Sequence, residues 1–464
     1  MPLTAITGAS VWDGTGTPAR PATVLIQDAR IVAVGDIPIP EAAERIDVPG
    51  RTLIPGLIDM HVHVSICGED SLYGFLGTGI TTVRDLGSAP EVMLPIRDAI
   101  ARGERLGPRL VVHGPMLDGE PPIFGARPGS PVTADGPQAT WVNATVEDAV
   151  ANVNRLIDMG VDGIKLYAGL RPDLVGAMIR AAGHRVPVTG HLGRTWASEA
   201  IDAGIDCLEH VHATCYQDVV RPEDRHGRED GNGAKPNYWS WLSEGWSRAD
   251  LDAPYVRAFI EQIVANGVVL SPTTVLVTGG MATNEAAQEP GQRWRPRFMN
   301  ERMAQMRAAR EAAQRAAQAA GRAIPSLAPV DPAVGKQALA NELEFLRRVH
   351  AAGGTVAPST DVGAAPGQVP GFALHRELAL LVRAGIPASD VLQSATRLAA
   401  RTMRRDHEIG TIEAGKVADI VVLDADPLAD IEATRSAHLV IKDGRVHRPE
   451  DVLARIDTSE PDVP

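Results

Sequence analysis

The chain has 464 residues, with 45 Lys and Arg against 58 Asp and Glu, 13 His, 3 Cys and only seven Trp, five Tyr and six Phe. The net charge of −13 repels phosphate backbones and anionic lipid, which weighs against nucleic-acid and membrane-surface roles. Three cysteines cannot build a disulfide framework, no uncharged apolar run reaches the roughly 20 residues of a membrane span, and the start lacks a signal-peptide pattern, so a cytoplasmic location is expected.

The first 55 residues read as short β segments at Ala5 to Trp12, Ala22 to Ile26, Arg30 to Val34 and Glu44 to Val48, punctuated by Gly and Pro turns. From 56 to 405 the pattern becomes apolar strands alternating with helices, the grammar of parallel βα units. Eight strand seeds follow: Leu57 to Val62, Ile80 to Arg84, Arg109 to His113, Gly163 to Tyr167, Val186 to Gly190, Cys207 to Val211, Val268 to Thr273 and Thr355 to Pro358. Helices are expected between them, including Ala89 to Arg102, Val146 to Met159, Pro172 to Ala182 and Ala197 to Ala203, several closed by a glycine. Eight such units predict an α/β fold of the (β/α)8 TIM-barrel type. An open doubly wound sheet is weaker, because no Gly-x-Gly-x-x-Gly opens a helix after the first strand.

Two stretches interrupt the repeat. The segment 221–252 carries Tyr238, Trp239, Trp241 and Trp246 within nine residues and is expected to cover a site, with an apolar or aromatic substrate group in view. The segment 279–335 contains an Ala/Arg/Gln-rich helix from about Arg297 to Ala320, with Phe298, Met299, Met303 and Met306 at helical spacing, expected to pack on the barrel. Beyond residue 406, Ile420 to Leu423, Leu439 to Ile441 and a hairpin turn at Lys442 to Arg445 return to β character, which predicts a small composite β-sandwich built from 1–55 and 406–464.

The residues that carry chemistry lie at strand ends. His61 and His63 stand two apart at the end of the first strand, so alternation sends both imidazoles to one side, where they can chelate a cation. Lys165 sits between Ile164 and Leu166 in the fourth strand; burial would lower its pKa toward a reactive neutral amine, and a lysine snorkelling to the rim is the alternative. His191, His210 and Asp361 end the fifth, sixth and eighth strands. In a barrel, side chains at the C-terminal ends of strands face the catalytic mouth. Six metal-type donors at one edge of five strands form a far more specific signal than any one of them.

These residues, together with the entry Pro55-Gly56-Leu57-Ile58-Asp59-Met60-His61-Val62-His63, the stretch Gly79 to Asp85 and the closing Gly410 to Ile420, resemble the amidohydrolase superfamily, in its prolidase-like and imidazolonepropionase-related branch. The resemblance implies two divalent metal ions, zinc by default. His61, His63 and Asp361 would hold the more buried one, His191 and His210 the other, and Lys165 would bridge both as a carbamate formed with carbon dioxide. It also implies hydrolysis of an amide bond in a dipeptide-like or N-acyl amino-acid substrate, by attack of a metal-bridging hydroxide with Asp361 as acid/base. A lactone, carbamate or organophosphate hydrolase on the same site, and a metal-free scaffold, are the alternatives. A homo-oligomer acting on a small molecule is expected. Relatives of the prolidase-like branch carry Gly-Gly-His after the third strand and a tyrosine three positions past the sixth-strand histidine; this chain has His113-Gly114-Pro115 and Ala213 there. The carbonyl-polarising group is therefore open among His212, Tyr216, Tyr167 and His113.

Overall fold

The computed structural model describes residues 3–123, 139–227, 238–280, 291–319, 330–364 and 367–458. Parts of both interrupting segments, 228–237, 281–290 and 320–329, lie outside the described residues, as does the side chain of Met306. All eight expected barrel strands are present, at Leu57–Val62, Ile80–Asp85, Arg109–Val112, Ile164–Leu166, Val188–Gly190, Cys207–Glu209, Val269–Ser271 and Thr355–Val356. They pair in parallel, the first three in one sheet and the last five in another, and the residues of the barrel strands are almost all buried, as expected of strands covered by helices on one side and packed side chains on the other.

The parallel ladder is interrupted where the third strand meets the fourth. Gly114, at φ 73°, and Pro115, which has no N–H to give, stop the strand at Val112. The chain then resumes as Met116–Asp118, which joins the second sheet between Ile164–Leu166 and an unforeseen strand at Thr140–Val142. Across this break Asp162 N donates to Val112 O at 2.7 Å, and Val112 N donates to Asp162 Oδ2 at 2.9 Å. Between the first and eighth strands Met60 N donates to Pro358 O at 3.3 Å, Asp361 N donates to His61 O at 2.8 Å, and Val62 forms a parallel bridge with Val362. The arrangement is a TIM-barrel-like α/β fold.

Local chemistry sets the helix bounds. Thr145 caps Val146–Met159 in a reciprocal box with Asp148, whose amide donates to Thr145 Oγ1 at 3.1 Å, and Gly160 ends the helix in the left-handed region at φ 88°. Arg297–Ala319 is helical as expected; Met299 is buried in the main core, while Phe298, 46% exposed, lies against Gly68. A further long helix, Pro332–Ala351, starts on Asp331, whose carboxylate accepts from Ala333 N. It packs against Tyr238–Ser247 through Trp246 and Phe345, ring centroids 6.0 Å apart, and through Asn341 Nδ2, which donates to Trp246 O at 2.8 Å.

The two ends of the chain share a sheet. Ile420–Leu423 pairs antiparallel with Thr52–Pro55, in the register Ile420 to Pro55 and Leu423 to Thr52, within a six-stranded sheet that also holds Ala437–Lys442, Arg445–His447, Ser10–Val11 and Arg20–Pro21. A four-stranded sheet, Arg30–Gly35, Thr23–Gln27, Thr4–Thr7 and Glu44–Asp47, packs over it, and Ile6, Val24, Ile26 and Leu53 share one apolar cluster with Ile412, Ile420, Val422 and Ile441. Among the described residues no helix is long and apolar enough to cross a membrane.

Candidate active site

The first barrel strand delivers His61 and His63 to the mouth, and the turn after the eighth brings Asp361 to them. His63 Nε2 lies 2.8 Å and His61 Nε2 3.4 Å from Asp361 Oδ1. The three offer one donor atom each within 4.8 Å of one another, all buried, which is the spacing of ligands around a single cation. Backbone conformation is part of the construction. Asp361 (φ 53°), His210 (φ 55°) and Thr273 (φ 55°) all hold left-handed backbone, at the ends of the eighth, sixth and seventh strands. For residues with a Cβ this is strained, and such strain persists only where the surroundings over-determine it.

The remaining imidazoles gather around His210. Its ring centroid is 4.6 Å from that of His61, 4.5 Å from that of His191 and 5.9 Å from that of His212, and its Nδ1 is 2.9 Å from Thr273 Oγ1. Tyr167 lies against His191 with centroids 4.9 Å apart. Burial pushes the His61 imidazole down to about 4, with the Lys165 charge adding to the shift, and holds His191 and His210 well below the ordinary histidine range. Neutral imidazole is the form that binds a metal. Asp361 is held below the usual carboxylate range: burial opposes this, and the His61 and His63 rings and Lys165 outweigh it.

Lys165 Nζ is buried without a hydrogen-bond partner, and desolvation brings its pKa down to about 8 in spite of Glu209 and Asp361. The snorkelling alternative does not describe it, since the residue is 1% exposed. His61 Nε2 is likewise buried with no hydrogen-bond partner, and Asp361 Oδ1 faces the ring nitrogens of His63 and His61. Buried polar atoms are almost always satisfied, so the lone pair of His61 Nε2, and that of Lys165 Nζ once its proton is lost, fit a cation or a new covalent partner at this place.

Beneath these donors is a charged floor that sequence reasoning missed. Glu209 accepts from Arg84 NH2 at 2.6 Å and from Thr189 Oγ1, and its Oε2 is 2.8 Å from His61 Nδ1. Arg84 Nε donates to Met60 O at 2.6 Å. Burial would raise the Glu209 pKa, yet Arg84 and His61 hold it well below the usual range, so it stays a carboxylate and fixes the His61 ring with Nε2 toward the mouth. Asp59 works similarly on the backbone, accepting from His61 N at 3.1 Å and from Thr360 Oγ1 at 2.7 Å.

The carbonyl-polarising candidates separate. His212 and Tyr167 border the imidazole group, as given above. Tyr216 is committed elsewhere: its hydroxyl donates to Asp224 O at 3.3 Å and Trp241 O at 3.5 Å, and its ring packs on Trp241 at 4.2 Å. His113 is fully buried with its ring against Gly163, where an added Cβ would come within 2.2 Å of it. Trp239 of the aromatic segment stacks on His212 at 5.5 Å and 28°.

A TIM-barrel-like frame with imidazoles and an aspartate at its strand ends defines a metal-site class, and residues 52–447 match the model of the amidohydrolase family. The chain belongs to that family. It is 40% identical over 80 residues to a D-aminoacylase of Alcaligenes xylosoxydans xylosoxydans, covering 17% of this chain and 16% of that protein. It is 35% identical over 104 residues to an imidazolonepropionase of a Geobacillus species, covering 22% and 24%. The chain thus matches less than a quarter of the length of these curated relatives. The fold is also that of a Xaa-Pro dipeptidase crystallised with methionine in its active site, at a TM-score of 0.66 and 21% identity, over 96% of this chain and all of the other.

Proposed function

We propose that the chain hydrolyses an amide bond of a small molecule, dipeptide-like or N-acyl amino acid, at a site for two divalent cations inside a closed barrel. The observation that carries this reading is the buried, unpartnered Lys165 Nζ beside the converged His61, His63 and Asp361. His61, His63 and Asp361 would hold one ion, and His191 and His210 the other. Lys165 would serve both as a carbamate: its neutral amine would add to carbon dioxide and lose one proton, giving one negative charge shared by two oxygens where the structure has one orphaned nitrogen. The curated relatives that are deacylases and a D-aminoacylase support an acylated amino acid as substrate. Zinc fits imidazole and carboxylate donors.

Bound at this site, divalent ions supply Lewis acidity toward the scissile carbonyl and make a water more acidic. The protein's own part is proton handling and positioning. Asp361, ionised and beside the His61 and His63 rings, would take the proton of the attacking water and return it to the leaving nitrogen. Tyr167 and His212 bound the space where the acyl group is held, and the face of Trp239 lies behind His212.

The test is metal content of the purified chain, followed by a hydrolysis screen over acyl amino acids, dipeptides, lactones and carbamates after reconstitution with zinc and bicarbonate. About two ions per chain and turnover of acyl amino acids or dipeptides are expected. Lys165→Ala should lower occupancy, with short carboxylic acids restoring part of the activity. Full occupancy in that variant removes Lys165 from the site, and turnover confined to lactones or carbamates overturns the amide assignment.

A further inference from the structure

Glu342 lies midway along Pro332–Ala351, on the stripe that also carries Gly335, Ala338, Phe345 and Val349, all of them buried. A carboxyl group on such a stripe needs a partner, yet both Glu342 oxygens are buried and unbonded, with the side chain 0% exposed. The Nδ1 of His212 lies 4.0 Å from Glu342 Oε1 and is itself buried and unbonded. Two buried groups of complementary hydrogen-bonding capacity, each without a partner, are thus separated by about 1 Å more than a hydrogen bond requires.

His212 is held on its other sides as well. Trp239 stacks on its ring, and Trp246 Nε1 donates to its backbone carbonyl at 2.8 Å. Both tryptophans belong to Tyr238–Ser247, the helix that packs against Pro332–Ala351. The helix that leads into the eighth strand and a helix of the inserted aromatic segment therefore converge on one imidazole, whose ring centroid is 5.9 Å from that of His210.

We propose that Glu342 is a positioning residue that engages His212 Nδ1 and thereby fixes the ring with Nε2–H presented to the substrate, fitting the site to an oxygen acceptor such as an acyl carbonyl or carboxylate. This rests on the amide-hydrolase reading for the substrate's chemistry, not for the pairing itself. Desolvation, with Glu377 adding to it, holds the Glu342 pKa well above the ordinary range. The neutral acid donates its O–H to the Nδ1 lone pair, which leaves the ring proton on Nε2. Glutamine at 342 can donate in the same way, and methionine cannot.

The decisive measurement is the imidazole 15N spectrum of the full chain, with His212 assigned from His212→Ala. Wild type and Glu342→Gln should show His212 as a single Nε2–H tautomer, and Glu342→Met should move its shifts toward a tautomer mixture. The Glu342 carboxyl 13C shift should also move in His212→Ala, which keeps the question decidable if Glu342→Met fails to fold. With an acyl amino acid that the enzyme turns over, Glu342→Met should lower kcat/KM by about 10- to 100-fold, Glu342→Gln should restore most of it, and Glu342→Met in the His212→Ala background should cost nothing further. Unchanged His212 shifts in Glu342→Met, an unmoved carboxyl shift in His212→Ala, or losses that multiply in the double variant would overturn the pairing. Absence of any amide turnover would overturn the function proposed above and leave the spectra to decide the pairing.

Discussion

Asp361 is the residue at which backbone strain, a depressed pKa and proximity to two imidazoles coincide. Asp361→Asn keeps the volume and removes both the negative charge and the basic oxygen. Turnover should fall by about 100- to 10,000-fold while far-UV circular dichroism stays that of the wild type. A second titrating carboxyl belongs to stability. Glu377 accepts from Thr274 N and Val275 N, and burial raises its pKa from 4.5 to about 8. Between those values the folded chain keeps a proton that the unfolded chain releases, so this group's contribution is full below about 4.5 and is lost as pH rises through about 8. Urea midpoints measured from pH 5 to 9 should show that decline, and Glu377→Gln should flatten it. At this scale His61, His63 and Asp361 were legible because strand ends and alternation are written in the sequence. Glu209 was not, because a glutamate in a strand gives no sign that Arg84, 125 positions away, will neutralise it inside the barrel. For Tyr216 the sequence gives no sign that its hydroxyl bonds the carbonyls of Asp224 and Trp241, the second of them 25 positions away.

Among the elements, the helix pair Tyr238–Ser247 and Pro332–Ala351 is joined chiefly by Trp246, fully buried and edge-on to Phe345. Trp246→Ala should destabilise the fold by about 3–5 kcal/mol in chemical denaturation. Trp246→Phe keeps much of the ring volume but leaves the His212 carbonyl without its donor, and should cost about 1–3 kcal/mol. The eight strands were readable from apolar runs bounded by turn residues, and Val146–Met159 from its cap and closing glycine. The third strand was readable to His113, but the break after it and the strand that follows, Met116–Asp118, were not. Three residues carry too little periodicity to mark a strand, and its partners come from Thr140–Val142 and Ile164–Leu166. The long helix Pro332–Ala351 was hidden by its Glu342, which breaks the apolar stripe at its centre.

At the scale of the whole molecule, the six-stranded sheet ties the beginning of the chain to its end. Removing residues 406–464 would strip Thr52–Pro55 of its partner Ile420–Leu423 and bare Leu53 and Ile54, both fully buried. Such an unpaired apolar strand invites association with other chains. The truncated protein should be recovered as aggregate, with no cooperative thermal transition and no monodisperse peak on size exclusion. The same pairing has a consequence for synthesis. Pro55 leaves the ribosome some 365 residues before Ile420, which at about 5–20 residues per second is roughly 20 to 70 s. Throughout that interval Thr52–Pro55, which leads into the first barrel strand and so to His61 and His63, has its Ser10–Val11 partner on one edge and an open edge where Ile420–Leu423 will pair. His61 and His63 are therefore made early and locked late, and one edge of the strand that leads to them stays open for over 300 residues of synthesis.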